Sequence, residues 1–296
     1  TRDMADALRP YCNSVINYRI TRGQVVKGVI RSLFTGKPLQ VGYFYHPKIA
    51  REIRQNIRNN DPDVVFCQLI RTTEYAMNLS VASAVDLQDS FSLNMYRRVE
   101  KAAWWQKAIF KREMRTLKKY EQKVLQQFNY SAVISEPDRE FICRNGNNSI
   151  DIIPNGVDFN YFQPIENAGE KPYHILFSGN MGYAPNVDSA CYLVREVMPL
   201  VWREFPAARV LLAGASPDGR VKRLADEKVE VTGWIPDIRE AYNSCRVFVA
   251  PMRLGSGLQN KLLEAMVMKI PCITSKLANS ALCAAEGEEI LIGENP

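Results

Sequence analysis

Residues 247–266 read VFVAPMRLGSGLQNKLLEAM, and this stretch decides the fold. Its first four residues are apolar and rich in β-branched side chains, which is typical of a strand buried in a parallel sheet. Two glycines follow in a loop, and the spacing of Leu262, Leu263 and Met266 predicts a helix after it. The start of such a helix presents unpaired backbone N–H groups and the positive end of the helix dipole. The stretch therefore predicts a binding site for a diphosphate.

Three charged side chains stand beside this loop. Arg253 and Lys261 would supply positive charge to the diphosphate, and Glu264 would accept hydrogen bonds from a sugar or ribose hydroxyl. The alternative is an ordinary strand–loop–helix connection whose charges are solvated, because glycine-rich loops of this kind are common. The other loop residues assigned to the same site are Ser256, Gly257, Leu258 and Gln259.

The second half of the chain alternates strands with helices, as in a doubly wound parallel sheet. Right-handed crossovers bring every strand-to-helix loop to the same edge of such a sheet. The glycine-bearing loops at Gly179, Gly214, Gly233 and Gly255 are therefore expected to meet at one crevice. The predicted strands are 174–177, 209–213, 229–232, 247–250 and 272–274, and the predicted helices are 186–205, 218–227 and 237–245.

The first half of the chain predicts a second α/β unit, with acidic residues after one of its strands. Asp86 and Asp89 follow the predicted strand 81–85, at the sheet edge where open α/β sheets bind ligands. The alternative is that Asp89 or Ser90 only caps the helix that follows. The other predicted elements are buried strand 64–67, strands 131–135 and 150–153, and helices 48–60 and 97–123.

Two segments of the first half are basic and amphipathic. Residues 1–45 mix basic side chains with apolar ones, and residues 97–123 hold ten basic and three acidic residues around Trp104 and Trp105. Such helices can lie on an anionic membrane surface. The alternative is that each helix packs on its own domain and turns its basic side chains outward.

Composition excludes several classes of protein. A formal net charge of +6 suits an anionic ligand but not a nucleic-acid-binding protein. Seven scattered cysteines and two histidines predict a reducing compartment, without a disulfide framework or a metal site. Neither the dinucleotide fingerprint GxGxxG nor a Walker A motif occurs in the chain.

Residues 255–266, GSGLQNKLLEAM, are similar to a branch of retaining GT-B glycosyltransferases associated with bacterial exopolysaccharide and capsule synthesis. These enzymes usually carry two glutamates separated by seven residues. Glu264 matches the second glutamate, whereas Ser256 stands where the first would be. Residues 154–158, PNGVD, resemble the interdomain hinge of the same enzymes, and the turn preference of Asn-Gly predicts a positive φ at Gly156.

The resemblance implies a GT-B fold, in which two Rossmann-like domains face a cleft. Residues 1–155 would form the N-terminal acceptor-side domain, which we expect to be truncated. Residues 156–171 would form the hinge or linker, and residues 172–296 the C-terminal domain that binds the nucleotide sugar.

The resemblance also implies retaining, metal-independent transfer from a UDP- or GDP-sugar to a glycan, lipid-linked or small-molecule acceptor. No cofactor is expected, and the implied location is the cytoplasm, with contact to the inner face of the membrane as one alternative. A nucleotide-sugar epimerase or hydrolase on the same fold and a non-catalytic nucleotide-binding partner remain open. The implied catalytic residues are Asp86, Asp89, Arg253 and Lys261, and the loop residues above are joined in nucleotide-sugar binding by Gly179, Asn180, Gly214, Gly233, Trp234, Ile235 and Glu264.

Overall fold

The computed structural model describes residues 8–143, 150–164, 171–255 and 257–296. These residues form two parallel β-sheets, and each sheet packs around its own hydrophobic core. The first sheet lies before residue 155 and the second after residue 172. Helices connect the successive strands of both sheets, which confirms the predicted α/β class.

The first sheet has four parallel strands that follow one another in chain order. Val85 and Val133 from its two central strands pack against Leu117 and Val124 of a long helix to form the core. The strands are β1 (Val64–Gln68), β2 (Ala82–Asp86), β3 (Tyr130–Val133) and β4 (Asp151–Ile152). The described helices of this half are α1 (Arg22–Thr35), α2 (Leu39–Phe44), α3 (Pro47–Asn60), a 3-10 turn (Ile70–Thr72), α4 (Thr73–Ala76), α5 (Phe91–Lys101), α6 (Trp104–Gln127) and α7 (Glu136–Cys143).

The second sheet has six parallel strands: β5 (Tyr173–Ser178), β6 (Val210–Ala213), β7 (Val229–Gly233), β8 (Cys245–Ala250), β9 (Cys272–Thr274) and β10 (Leu291–Ile292). Their order across the sheet is β10-β9-β8-β5-β6-β7, so the chain crosses over between β7 and β8. Central strand β6 is buried at every position, as expected for a strand covered on both faces. The described helices of this half are α8 (Ala184–Tyr192), a π-helical turn (Leu193–Val197), α9 (Met198–Glu204), α10 (Gly219–Lys222), α11 (Ile238–Asn243), α12 (Asn260–Val267) and α13 (Lys276–Leu282).

Two of the predicted helices differ from the structure. The segment predicted as one helix over 97–123 is divided between α5 and α6, because Ala102 and Ala103 adopt extended backbone with ψ of 146° and 149°. The helix predicted over 218–227 is reduced to the single turn of α10, since its chain continues into turns before β7. Alanine favours helices, so nothing in the local sequence indicates the first break.

Strand β1 and Gly156 also correct the sequence predictions. Val64 and Phe66 are 54% and 65% exposed, and the burial of β1 alternates along the strand, so one face of this edge strand is uncovered and the predicted burial is wrong. Gly156 lies outside the left-handed region, so the predicted positive φ is wrong. In the same segment, Asn155 Nδ2 donates a hydrogen bond to Oδ1 of Asn260 at 3.1 Å. The segment after the first sheet is therefore joined to the start of α12.

Candidate active site

A cleft with a volume of about 630 Å³ lies between the two sheets. Its walls come from the loops that follow the strands, as the rule for open α/β sheets predicts. The first half contributes Leu69, Gln88, Asp89, Ile134 and Asn155. The second half contributes Ser178, Gly179, Asn180, Tyr183, Asn186, Gly214, Ala215, Trp234, Ile235, Ile238, Leu258, Gln259, Asn260, Lys261 and Glu264.

Gly179 and Gly214 bring two of the predicted loops into direct contact. Gly214 has a φ of +139°, and a Cβ atom there would lie 1.9 Å from the carbonyl oxygen of Gly179. Gly179 has a φ of +145°, and a Cβ atom there would lie 2.9 Å from Nζ of Lys261. The N–H of Gly214 also donates to the carbonyl of Gly233 at 3.0 Å. Three of the glycine-bearing loops therefore meet as expected, and the backbone of Gly179 leaves no room for a side chain at Gly214.

Lys261 places a cation beside the glycine loops at Gly179 and Gly214. It follows Asn260 in the first turn of α12, and its Nζ donates to Oδ1 of Asn186 at 2.5 Å and lies 4.6 Å from the ring centroid of Phe177. Burial lowers the pKa of Lys261 to about 7, although nearby Glu264 acts in the opposite direction. Among the described carboxylates, none forms an ion pair with this ammonium. The position is therefore suited to an anionic ligand.

A hydrogen bond from Tyr242 fixes the orientation of the Glu264 side chain. Glu264 lies three residues after Lys261, so both side chains project from the same face of α12. Its Oε2 accepts a hydrogen bond from the hydroxyl of Tyr242 at 2.7 Å, and that hydroxyl lies 3.0 Å from Oγ of Ser178. Burial raises the pKa of Tyr242 well above its ordinary value, so the phenol stays protonated and donates. The carboxylate of Glu264 can therefore accept further hydrogen bonds from a ligand hydroxyl in the cleft.

Asp86 and Asp89 have different positions. Asp89 lines the cleft, whereas Asp86 accepts hydrogen bonds from the backbone N–H of Gln88 at 2.8 Å and from its side-chain amide. Asp86 thereby shapes the loop in which Gln88 has a φ of +63°. Ser90 caps the helix, because its Oγ accepts from the N–H of Leu93 at 3.1 Å. The alternatives of a cap and a cleft residue thus both occur in this loop.

Arg253 corrects the sequence prediction, because the structure places it outside the cleft. Its guanidinium forms two hydrogen bonds of 3.0 and 3.1 Å with the carboxylate of Asp188 and lies 3.5 Å from Glu196. It also stacks on the ring of Tyr192, 4.1 Å from the centroid. Its charge is therefore paired with carboxylates of α8 and the π-helical turn, outside the cleft.

The remaining predicted residues fall into three groups. Asn180, Trp234, Ile235, Leu258 and Gln259 line the cleft. Gly233 and Gly257 are not lining residues, but the former bonds to Gly214 and the latter contacts Asp89, since a Cβ atom at Gly257 would lie 3.1 Å from Cβ of Asp89. Ser256 lies outside the described residues.

Sequence reasoning missed Tyr183 and Asn186. Asn186 is 6% exposed and accepts a hydrogen bond from Lys261, and Tyr183 lines the cleft from the loop after β5. The sequence signal that could have identified Asn186 is an amide side chain at the start of a helix directly after a glycine-bearing loop. Within the ranges that the structure describes, no group of three or more His, Cys, Asp or Glu side chains could hold a metal ion.

Comparison with known protein families gives a match for the second half of the chain. Residues 172–296 match the family model for "Glycosyl transferases group 1". The matched segment contains the whole second sheet with Gly179, Gly214, Lys261 and Glu264. The part of the chain that carries these glycine loops and the two charged side chains is therefore the part that resembles the family.

Solved structures show the fold of most of the chain. It resembles sucrose-phosphate synthase from Thermosynechococcus elongatus with a TM-score of 0.68 at 14% identity, over 93% of this chain and 67% of the other. It resembles HepE of Anabaena, solved in complex with UDP-glucose, with a TM-score of 0.58 at 12% identity, over 81% and 67% of the two chains. At these identities the likeness shows the fold alone, and that fold is GT-B, as predicted.

One curated protein matches in sequence. It is an uncharacterized 44.6 kDa protein in the cps region of Klebsiella pneumoniae, 21% identical over 289 residues. The match covers 90% of this chain and 71% of that protein.

Proposed function

We propose that this protein is a glycosyltransferase that moves a sugar from a nucleoside diphosphate sugar to an acceptor in the cleft. The observation that carries the proposal is the pairing of Lys261 and Glu264 on one face of α12. One offers a partly buried ammonium that no described carboxylate neutralises, and the other offers a fixed carboxylate. A nucleotide sugar has both matching parts, a diphosphate and sugar hydroxyls.

The donor would lie along the second half of the cleft. Its diphosphate would lie over Gly179 and Gly214, where no side chain blocks it, and beside the ammonium of Lys261. A hydroxyl of the sugar or ribose would bind Glu264, and the nucleobase would lie near Trp234 and Ile235. This placement leaves the side of the cleft formed by Gln88 and Asp89 for the acceptor.

In the proposed reaction an acceptor hydroxyl forms a bond to the anomeric carbon and gives up its proton to the departing diphosphate. The bond between the anomeric carbon and the β-phosphate oxygen breaks. Negative charge develops on that oxygen, so donors fixed in place stabilise the transition state more than the ground state. Lys261 and the backbone N–H groups at the start of α12 can supply this stabilisation without a metal ion. We also propose that the transferred sugar keeps its configuration at the anomeric carbon.

The biological setting is proposed from the relatives. HepE has been solved with UDP-glucose, and the matching protein of Klebsiella pneumoniae lies in a cps region. We therefore propose a UDP-sugar as the first donor to test, with a GDP-sugar second. The proposed acceptor is a glycan or lipid-linked sugar in polysaccharide or glycoconjugate synthesis, handled on the cytoplasmic side of a membrane.

A turnover assay tests the function. We expect purified protein to release UDP or GDP from a nucleotide sugar only when an acceptor is present, and to join the sugar to that acceptor with its anomeric configuration kept. Product analysis by mass spectrometry and proton NMR measures both outcomes. A rearranged nucleotide sugar would instead indicate an epimerase, release of free sugar a hydrolase, and binding without turnover a non-catalytic partner.

Contact with a membrane is proposed for the surface formed by α1 and the start of α6. Arg112 of α6 donates to the carbonyl of Ser32 in α1 at 3.1 Å, so the two helices are neighbours. Phe34, Trp104 and Trp105 are 86%, 85% and 61% exposed there, in segments rich in basic residues. Exposed aromatic and basic side chains together favour an anionic lipid surface. No described helix is long and apolar enough to cross a membrane.

Vesicle sedimentation tests this surface. We expect the protein to sediment with vesicles that contain anionic lipid, and the double variant Trp104→Ala/Trp105→Ala to bind at least about tenfold more weakly, since two buried indoles contribute several kcal/mol. Tyr130→Ala is the matched control, because Tyr130 is 67% exposed and lies beyond the other end of the 24-residue helix. Equal binding by all three proteins would contradict the proposed surface.

A further inference from the structure

Helix α5 of the first half contacts two loops of the proposed donor site. Asn94 and Arg97 are three residues apart, so both side chains project from the same face of the helix. Nδ2 of Asn94 donates to the hydroxyl of Tyr183 at 3.2 Å, in the loop after β5. Nη1 of Arg97 donates to the carbonyl of Gly255, in the loop after β8. One helix thus binds both loops that lie beside the proposed diphosphate.

Asp138 of α7 binds the same loop at a second point. Its side chain is fully buried and accepts hydrogen bonds from the N–H of Ser90 at 2.9 Å and from Oγ of Ser135. It also accepts a hydrogen bond from the backbone N–H of Gly257 in the other half. A guanidinium therefore holds the carbonyl of Gly255 while a carboxylate holds the N–H of Gly257. Both holding groups come from the first half of the chain.

The loop needs such support because of its backbone. Gly255 and Gly257 have φ values of +112° and +72°, in a region that side-chain-bearing residues rarely adopt. A glycine-rich segment loses much conformational freedom when it is ordered, so external hydrogen bonds decide which shape it takes. If the two halves moved apart, the carbonyl of Gly255 and the N–H of Gly257 would both lose these partners. Lys261 would keep its contact with Asn186, because both lie in the second half.

We propose that Arg97 and Asp138 are positioning residues, which hold Gly255 and Gly257 in their working positions only while the two halves are closed on each other. The inference rests on the proposed function, since the working positions are the ones that align a donor for transfer. Nucleotide binding and sugar transfer then depend on different residues of the site.

Kinetics should separate the two roles. A loop that is misplaced by about 1 Å can lower turnover by about a hundredfold. We therefore expect Arg97→Gln and Asp138→Asn to lower kcat about a hundredfold while the Kd for UDP or GDP changes by less than about threefold. Arg97→Lys keeps a charged donor and should recover most of the lost kcat. Arg139→Gln and Glu136→Gln are the controls, because both side chains are nearly half exposed on α7 and form an ion pair only with each other among the described residues.

Hydrogen exchange tests the same inference without any turnover. We expect the amide of Gly257 to be protected in the wild type and to exchange at least about tenfold faster in Asp138→Asn, with α12 unchanged. Unchanged exchange at Gly257 would overturn the inference, and so would equal loss of protection throughout α12, which indicates general destabilisation. Arg97→Lys and Arg97→Gln provide the comparison if Asp138→Asn does not fold. A wild type that binds nucleotide without transfer would contradict the proposed function while leaving this result readable.

Discussion

Lys261→Ala is expected to weaken the binding of UDP or GDP by at least about a hundredfold. The substitution removes charge-assisted hydrogen bonds to the diphosphate, which contribute about 1.5–3 kcal/mol each. Turnover should fall further, because the same ammonium faces the charge that develops on the leaving oxygen. Calorimetric titration with each nucleotide measures the change in Kd.

Two comparisons keep that result interpretable. Lys276→Ala should bind as the wild type does, because its side chain is 81% exposed and pairs only loosely with Glu294, at 3.9 Å. Lys261→Ala should unfold at no lower a temperature than the wild type without ligand, since burying an ammonium that forms no ion pair with a described carboxylate costs free energy. Full nucleotide affinity in Lys261→Ala would contradict the proposed donor site.

The same lysine makes nucleotide binding depend on pH. With a pKa of about 7 in the free protein, its charge is lost as the pH rises above neutral. A bound diphosphate favours the charged form, so the Kd should rise by up to about tenfold per pH unit between pH 7.5 and 9, where the diphosphate itself no longer titrates.

The stability of the free protein should increase over the pH range in which nucleotide binding weakens. Between pH 7 and the ordinary lysine value of 10.5 the unfolded chain binds the extra proton, so the unfolding free energy rises with pH.

Gly214→Ala is expected to lower the unfolding free energy by about 3 kcal/mol and to abolish nucleotide binding. An added Cβ atom would lie 1.9 Å from the carbonyl of Gly179, and the backbone at φ +139° is strained for alanine. The added Cβ atom and the carbonyl oxygen of Gly179 are both fixed to the backbone, so the clash can be relieved only by moving the loop after β5. We expect that movement to take the loop away from the diphosphate. Chemical denaturation measures the first effect and titration with UDP measures the second.

Gly219→Ala is the matched control for this substitution. Gly219 begins α10, and the nearest atom to an added Cβ is Nη1 of Arg223 at 3.7 Å, an ordinary contact. Alanine favours a helix over glycine, so we expect no loss of stability and a gain of up to about 1 kcal/mol. Equal behaviour of the two variants would show that the contact between the glycine loops does not shape the site.

The sequence predicted the elements whose signals are local. The run of apolar residues at 247–250 lies within β8, and the helical spacing from Leu262 to Met266 lies within α12. Lys261 and Glu264 lie in the cleft as expected because position on that helix alone decides where they point. Gly179 and Gly214 meet as expected because the topology of a parallel sheet decides which loops converge.

Other features depend on pairing between distant residues. Arg253 was assigned to the diphosphate from its place in the loop, but its partners Asp188 and Glu196 lie 65 and 57 residues earlier in the chain. Arg97 lies 158 residues from the carbonyl that it binds. No periodicity carries such information. Gly156 shows a different limit, since an Asn-Gly pair permits a positive φ without requiring one.

Trp234 has a consequence for how the donor nucleotide is chosen. Its indole is 71% exposed beside the cleft, so it presents a flat apolar face rather than a fixed directional contact. Stacking on such a face stabilises purines and pyrimidines alike. In the proposed donor site, this residue would therefore retain a nucleobase without discriminating between uracil and guanine. Selectivity would fall to main-chain atoms nearby, and a change of donor base in the course of evolution would require a shift of the backbone rather than the exchange of one side chain.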